Sequence, residues 1–418
     1  MNHRTIGVEE RPPLGKTIPL SLQHLFAMFG STVLVPAYFQ INPAIVLLMN
    51  GIGTLLYLFL CKGQIPAYLG SSFAFISPVL AVLATQGYSE ALGGFIAVGI
   101  VFVLVAWLVK AVGTGWIDVV FPPAAMGAII AVIGLELAPT AANMAGFLAK
   151  DGSSFDTKAI LVSVVTLLIA VLGNVLFRGF MKIIPILIAI IVGYILAWSV
   201  GIVDFTKVSE ANWLALPQVY TPTFNVTAIM LILPAALVVI AEHIGHLVVT
   251  GNIVGKDLSR DPGLDRSLLG NGVSTILSGF VGSTPNTTYG ENIGVLALTK
   301  VYSTYVIGGA ALFAILLSFS GKVAALIMTI PTPVMGGVSL LLFGVIGSSG
   351  IRMLVDSKVD YAKATNIILT SVVLVIGLSG AAFKLGGFEL KGMALATIVA
   401  ILLSLFFKLV EVLKISND

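Results

Sequence analysis

Three glutamates and three histidines lie inside the apolar stretches of this sequence. A carboxylate or a charged imidazole is costly in the hydrocarbon layer, by about 3 kcal/mol even on lenient scales. Such a group therefore faces a cavity or a partner, and an acid within the membrane indicates a binding site or a proton carrier by default. The six residues are Glu136, Glu242, Glu291, His24, His243 and His246.

Two of the acids carry the functional hypothesis. Glu242 and His246 are four residues apart and share one face of a helix, whereas Glu291 directly follows Gly290 in a polar segment. We hypothesise that Glu242 and Glu291 accept hydrogen bonds from a substrate or carry protons, tuned by His246 and His24. The alternative interpretation is buried acid–imidazole pairs that only tie helices together.

The remaining acid and the remaining histidine are given lesser roles. Glu136 lies near the end of its apolar stretch, so we expect a structural role in which its side chain reaches toward the surface. His243 lies off the helix face that Glu242 and His246 share.

A metal site is a remote alternative for the Glu242–His246 segment. Histidines three apart with an acid occur in helical metal sites, but the zinc-protease pattern His-Glu-x-x-His is absent. Any further ligands would have to come from distant spans, and Cys61 is the only cysteine. The sequence thus predicts no metal, no cofactor and no enzyme, with a membrane metalloenzyme as the remote alternative.

The composition identifies the elements that must hold these residues. Hydrophobic residues make up 58% of the 418 residues and charged residues 10%, against about 25% charged in a soluble domain. This excludes a soluble enzyme, a disordered chain and a fibre. The net charge of +3 is too small and scattered for a nucleic-acid surface, so no nucleic acid is expected as a partner.

A spanning helix needs about 20 mostly apolar residues, and this length predicts fourteen transmembrane spans in an all-α polytopic membrane protein. Every arginine then falls on the cytoplasmic side, which the positive-inside rule favours, so both termini are expected in the cytoplasm. The third and tenth spans, residues 66–78 and 283–292, are unusually polar and rich in Gly or Pro.

Paired motifs indicate that the chain contains an internal repeat. Because seven spans form each copy, the second copy must enter the membrane from the opposite side, which gives two inverted seven-span repeats. The two broken segments then meet at a site near the midplane, unless they are re-entrant loops that merely pack. The pairs are Gly70-Ser71-Ser72 with Gly282-Ser283-Thr284, Gly93-Gly94 with Gly308-Gly309, and 122–127 with 331–336.

The tenth segment carries a specific resemblance. Glu291-Asn292-Ile-Gly294, followed by four residues, Thr299 and Lys300, is similar to the signature of the nucleobase–ascorbate transporter family. The segments 241–246 and 66–75 also resemble this family, and the likeness covers nearly the whole chain. It is greatest for the family's bacterial uracil:proton symporters, because the purine members resemble a version with Gln in place of Glu291.

The resemblance implies an architecture of four chain segments and a central strand pair. Short strands in spans three and ten pair antiparallel at mid-membrane, and a core domain is distinguished from a gate domain. The implied ranges are 1–113 (core, spans 1–4), 114–225 (gate, spans 5–7), 226–320 (core, spans 8–11) and 321–418 (gate, spans 12–14).

The resemblance also implies site residues. Glu242 and Glu291 resemble the substrate-binding glutamates, and the backbone N–H groups of Phe73 and Gly290 resemble donors to the base carbonyls. Further implied neighbours are His246 and Tyr289 in the pocket and His24 in the polar network near Glu291. Phe343 departs from the uracil branch, which carries a tyrosine there, so this side chain is expected only to pack.

The implied activity is secondary active import of uracil with protons across the bacterial inner membrane by alternating access. We expect Gly127 and Gly336 to permit close sliding of helices. Uracil, protons, membrane lipids and a second copy of the chain are the implied partners. A purine or xanthine carrier of the same family and a channel stay open as alternatives.

Overall fold

The fold is almost entirely helical. The computed structural model describes residues 5–148, 155–385 and 388–415. In this part of the chain, eight helices are long and apolar enough to cross a membrane. Four shorter apolar helices accompany them. The predicted class of helical polytopic protein is therefore confirmed, while the terminal residues 1–4 and 416–418 lie outside the described residues.

The first half of the chain contains eleven helices and one strand within the described residues. Single 3₁₀ turns occupy Phe73–Phe75 and Gly179–Ile183. The elements are α1 (Leu14–Ala27), α2 (Phe29–Phe39), α3 (Pro43–Leu60), β1 (Leu69–Ser71), α4 (Ile76–Leu83), α5 (Tyr88–Val112), α6 (Ile117–Val120), α7 (Pro123–Glu136), α8 (Ala138–Met144), α9 (Thr157–Leu176), α10 (Pro185–Ser199) and α11 (Thr206–Glu210).

The second half contains nine helices and three strands within the described residues. An irregular π turn, Ser259–Gly263, precedes α14. The elements are α12 (Val226–Ile232), α13 (Pro234–Val254), α14 (Leu264–Val281), β2 (Asn286–Thr288), α15 (Gly290–Thr299), α16 (Thr304–Ser318), α17 (Gly321–Met328), α18 (Thr332–Asp356), α19 (Ala364–Leu378), β3 (Ala382–Leu385), β4 (Phe388–Lys391) and α20 (Gly392–Val412).

Local sequence explains where several helices begin and end. Asn42 caps α3, because its Oδ1 accepts from the N–H of Ala44 at 2.9 Å and Pro43 occupies the first turn. Gly255 and Gly282 follow α13 and α14 with φ of 72° and 97°. This left-handed backbone suits glycine and stops each helix.

The two polar segments contain the central strands. Strands β1 and β2 pair antiparallel, with Leu69 opposite Thr288 and Ser71 opposite Asn286. The Ser71 and Thr284 hydroxyls lie 2.6 Å apart and add a side-chain hydrogen bond to the pair. A second pair, β3 with β4, forms a hairpin before α20 that the sequence analysis did not predict.

The helices pack in two sets, with α13 adjacent to members of both. Helix α14 lies along α3 and α5, and α18 lies along α7 and α9. Small residues allow the close approach: a Cβ on Gly127 would lie 2.9 Å from the Gly350 carbonyl oxygen, and one on Gly336 would lie 2.7 Å from Cα of Ala145. Helices therefore approach closely at both glycines, and the expected sliding of helices there stays a prediction.

Candidate functional site

The centre of the candidate site is a pair of helix starts, one after each strand of the β1–β2 pair. After β1, Ser72 caps the turn that begins at Phe73, and its Oγ accepts from the N–H of Ala74 at 3.3 Å. After β2, α15 begins at Gly290 without a side-chain cap. The first N–H groups of a helix have no acceptor within it, so Phe73 and Gly290 can each donate a backbone hydrogen bond to a ligand.

Glu242 supplies the first carboxylate. It lies in the middle of α13, which packs against both the Phe73 turn and α15. Its side chain is half-buried, and Oε2 accepts one long hydrogen bond, of 3.5 Å, from the Ser72 hydroxyl. A carboxylate has about four acceptor positions, so most of the capacity of Glu242 is unused by the described residues.

Glu291 supplies the second carboxylate, from the first turn of α15. It is also half-buried, and among the described residues its carboxylate bonds only to its own backbone. Glu242 and Glu291 lie close enough for their charges to interact, so the structure brings the two acids together from different elements. Two nearby carboxylates with spare acceptor positions suit a ligand with two N–H groups.

His246 forms part of the wall beside Glu242. Its Nδ1 lies 3.1 Å from the Thr288 hydroxyl at the end of β2. Its Nε2 lies next to Gly290, 3.3 Å from where a Cβ on that glycine would be. The imidazole is therefore fixed on one side by the strand and presents its other nitrogen toward the start of α15.

Aromatic rings surround the two helix starts. Phe73 meets Phe343 of α18 edge to face, with ring centroids 5.6 Å apart and planes at 83°. Tyr289 stacks on Tyr68 at 6.5 Å, and its N–H donates to the Tyr68 carbonyl at 3.0 Å. Phe343 is buried and packs against Phe73, which is the packing role expected of it.

His24 lies behind Glu291 rather than beside it. This buried histidine contacts Asn292, whose Nδ2 is 3.1 Å from His24 Nδ1 and donates to the His24 carbonyl at 3.1 Å. Asn292 is adjacent to Glu291 in α15, so His24 supports the helix turn that carries the acid. The structure thus assembles six of the seven predicted site residues around the strand pair, with His24 one layer away.

Glu136 is a different kind of acid. It does not extend to the surface as expected. Its Oε1 accepts from the Ser77 hydroxyl and its Oε2 from the N–H of Met393, both at 2.9 Å. The carboxylate therefore joins α4 to the start of α20, which agrees with a structural role.

His243 was missed as a participant by the sequence analysis, together with three neutral residues behind the site. The Thr288 hydroxyl that bonds His246 also lies 3.5 Å from His243 Nδ1. His243 Nε2 lies 2.8 Å from the Ser267 hydroxyl, which is 2.6 Å from the Tyr57 hydroxyl. Only the i, i+3 spacing of the histidines hinted at this connection. In residues 5–148, 155–385 and 388–415, no three His, Cys, Asp or Glu side chains form a group able to hold a metal ion.

Comparisons with known proteins show which sequences and folds this chain resembles. Residues 15–386 match a model described as "Permease family". The chain is 72% identical over 421 residues to a uracil permease of Paenibacillus larvae subsp. larvae, covering 100% of both chains. It is 70% identical over 414 residues to a uracil permease of Escherichia coli (strain K12), covering 99% of this chain and 96% of that one.

The fold is also similar to that of a solved transporter of different sequence. The transmembrane domain of the cyanobacterial bicarbonate transporter BicA aligns with a TM-score of 0.64 and 13% identity. The alignment covers 96% of this chain and 99% of that chain.

Proposed function

Because this chain belongs to the nucleobase–ascorbate transporter family, we propose that it imports uracil together with protons across the bacterial cytoplasmic membrane. The relatives named above are uracil permeases, and the chain matches them over nearly their full length. The main observation behind the proposal is that two carboxylates with acceptor positions unused by the described residues lie near two helix-start N–H groups that have no acceptor within their own helix.

The shape of uracil matches this set of groups. The flat ring presents two N–H donors and two carbonyl acceptors. Carboxylate oxygens of Glu242 and Glu291 accept from the two N–H groups, and the N–H groups of Phe73 and Gly290 donate to the carbonyls. Phe73 and Tyr289 supply aromatic surface for the ring, and His246 contributes a polar edge.

The same groups give the site its selectivity. A uracil analogue that lacks one N–H would leave a half-buried carboxylate without its partner, and such an unpaired group is costly. Sites built in this way discriminate by several orders of magnitude, on the order of 10⁴ in favourable cases. A purine would have to satisfy the same four groups with a larger ring. We therefore favour uracil over xanthine.

The nearness of the two acids supports the proposed proton coupling. Two carboxylates that interact in a partly dry site repel each other when both are charged, and one bound proton relieves this repulsion. Binding of a proton and of uracil would thus support each other. We propose that Glu242, Glu291 and His24 take part in this coupling, with His24 acting through Asn292.

The transport step requires two bodies that move relative to each other. The packing of α14 with α3 and α5, and of α18 with α7 and α9, supports a division into a core and a gate. We propose core segments 1–113 and 226–320 and gate segments 114–225 and 321–418. Fourteen spans in two inverted repeats, alternating access, cytoplasmic termini and a homodimer in the lipid bilayer complete the proposal.

Uptake of labelled uracil into proteoliposomes tests the function. With an inward-directed proton gradient we expect concentrative uptake that an ionophore abolishes and that excess xanthine does not inhibit. Saturable counterflow would distinguish a carrier from a channel, because an open pore does not exchange solutes. Uptake that persists without the gradient, or that requires sodium, would contradict proton coupling, and stronger inhibition by xanthine than by unlabelled uracil would contradict the substrate.

A further inference from the structure

A chain of buried polar side chains runs away from the site, through the interior of the helix bundle. It begins at His246 and continues through Thr288, His243 and Ser267 to Tyr57. Successive atoms are 3.1, 3.5, 2.8 and 2.6 Å apart. Four of the five side chains are buried, and only His246 is partly accessible, at the site itself. This series of side chains involves three elements, α13, β2 and α14, before it reaches Tyr57 in α3.

Each member of this chain can both donate and accept a hydrogen bond. A hydroxyl carries one proton, and a neutral imidazole has one N–H and one bare nitrogen. All four bonds can therefore point from His246 toward Tyr57, or all four can point the other way. In the first arrangement Nε2 of His246 is bare at the site, and in the second it carries a proton there.

The far end of this series of side chains lies near the end of α3, where α3 packs against the start of α14. The Cys61 thiol lies within hydrogen-bond reach of the Tyr57 hydroxyl. The charges of Arg266 and Asp265 are near enough to interact electrostatically with that thiol. Both charged residues are partly accessible, and Arg266 donates to the Leu60 carbonyl at 3.2 Å. Under the proposed topology this is the cytoplasmic side.

We propose that His243, Ser267 and Tyr57 form the route by which a proton leaves the substrate site toward the end of α3. This inference rests on the proposed proton-coupled uptake and adds the path that the proton takes. The ionisable groups that face this route are Glu242 and Glu291 at the site and Cys61, Asp265 and Arg266 at the far end.

One proton enters the route and one leaves. A proton from the acid pair binds Nε2 of His246, and the Nδ1 proton passes to the Thr288 oxygen. The Thr288 proton moves to His243 Nδ1, and the His243 Nε2 proton moves to the Ser267 oxygen. The Ser267 proton then moves to the Tyr57 oxygen. The original Tyr57 proton passes to the Cys61 sulfur beside it, and the Cys61 proton passes to bulk water on the proposed cytoplasmic side. Every bond is now reversed, and the rings and hydroxyls turn back before the next proton.

Interruption of the route separates proton release from substrate exchange. We expect Ser267→Ala and Tyr57→Phe to reduce gradient-driven uracil uptake at least tenfold in proteoliposomes. Uracil affinity and counterflow of labelled uracil should stay within twofold of the unsubstituted protein, because a carrier that exchanges substrate can return with its proton still bound. Ser267→Thr keeps the hydroxyl and should restore uptake.

Ser404→Ala is the matched control. Ser404 is also buried, but within the described part of the chain its hydroxyl donates only to the Ala400 carbonyl of its own helix, at 2.7 Å. This variant should transport normally. Full gradient-driven uptake by Ser267→Ala and Tyr57→Phe would overturn the route. Loss of uracil binding or of counterflow in either variant would also overturn it, because these residues would then support the site or its movement. Absence of gradient-driven uptake in the unsubstituted protein would instead refute the proposed function.

Discussion

Glu136 and the Glu242–Glu291 pair are acids in apolar helices, yet their surroundings differ in one decisive respect. Glu136 accepts two hydrogen bonds of 2.9 Å, one on each oxygen, from Ser77 and from the start of α20. Glu242 accepts a single long bond, and Glu291 bonds only to its own backbone among the described residues. One acid is satisfied by the protein, whereas the other two have unused acceptor positions.

This difference separates a structural acid from a binding acid. A polar group that loses water without gaining a partner costs about 1–3 kcal/mol, so two half-buried acids held close together favour a ligand that bonds to both. The half-buried state of both side chains leaves room for one. Glu136 is also half-buried, so its exposure and charge do not distinguish it from Glu242 and Glu291. Only its hydrogen-bond partners do.

Of the substitutions that test this difference, Glu242→Gln should cause the largest change in uracil affinity. An amide offers one acceptor oxygen and a donor that faces the donor of the ligand, so uracil affinity should fall at least about 100-fold. Isothermal titration of the purified protein with uracil measures the change. Unchanged affinity would remove Glu242 from the site.

Glu136→Gln should affect stability instead. The amide can keep only one of the two hydrogen bonds, so unfolding should become easier by about 1–3 kcal/mol, seen as a lower melting temperature. Uracil affinity should stay within twofold, which makes this variant the control for Glu242→Gln. A large loss of uracil affinity with an unchanged melting temperature would show that Glu136 is a binding acid and not a structural one.

Ser72→Ala should give the smallest effect. The substitution removes the 3.5 Å bond to Glu242 and the cap on Ala74. A hydrogen bond of this kind contributes about 0.5–1.5 kcal/mol, so we expect uracil affinity to fall about threefold to tenfold. If titration instead showed a loss as large as that of Glu242→Gln, the Ser72 contact would be the main determinant of binding.

Some of the site could be predicted because its signals are local. The i, i+4 spacing joins Glu242 with His246, and the polar segments around 66–78 and 283–292 stand out from their apolar neighbours. These two segments contain the paired strands β1 and β2 in the structure.

The other contacts around the site could not be predicted, because they depend on how distant helices pack and no local sequence pattern encodes that packing. Ser267 and Tyr57 look like ordinary polar residues of apolar helices, and they meet His243 only because α3, α13 and α14 pack side by side. The roles of Asn292 and Ser77 arise in the same way. The position of Glu136 near a helix end suggested the surface, but the start of α20 turned its carboxylate inward.

A structure of the protein with uracil bound would show directly whether the two acids bind the base. We expect the base within hydrogen-bond distance of the Glu242 and Glu291 carboxylates and of the backbone N–H groups of Phe73 and Gly290. Uracil bound elsewhere, or at this place without contact to either carboxylate, would contradict it.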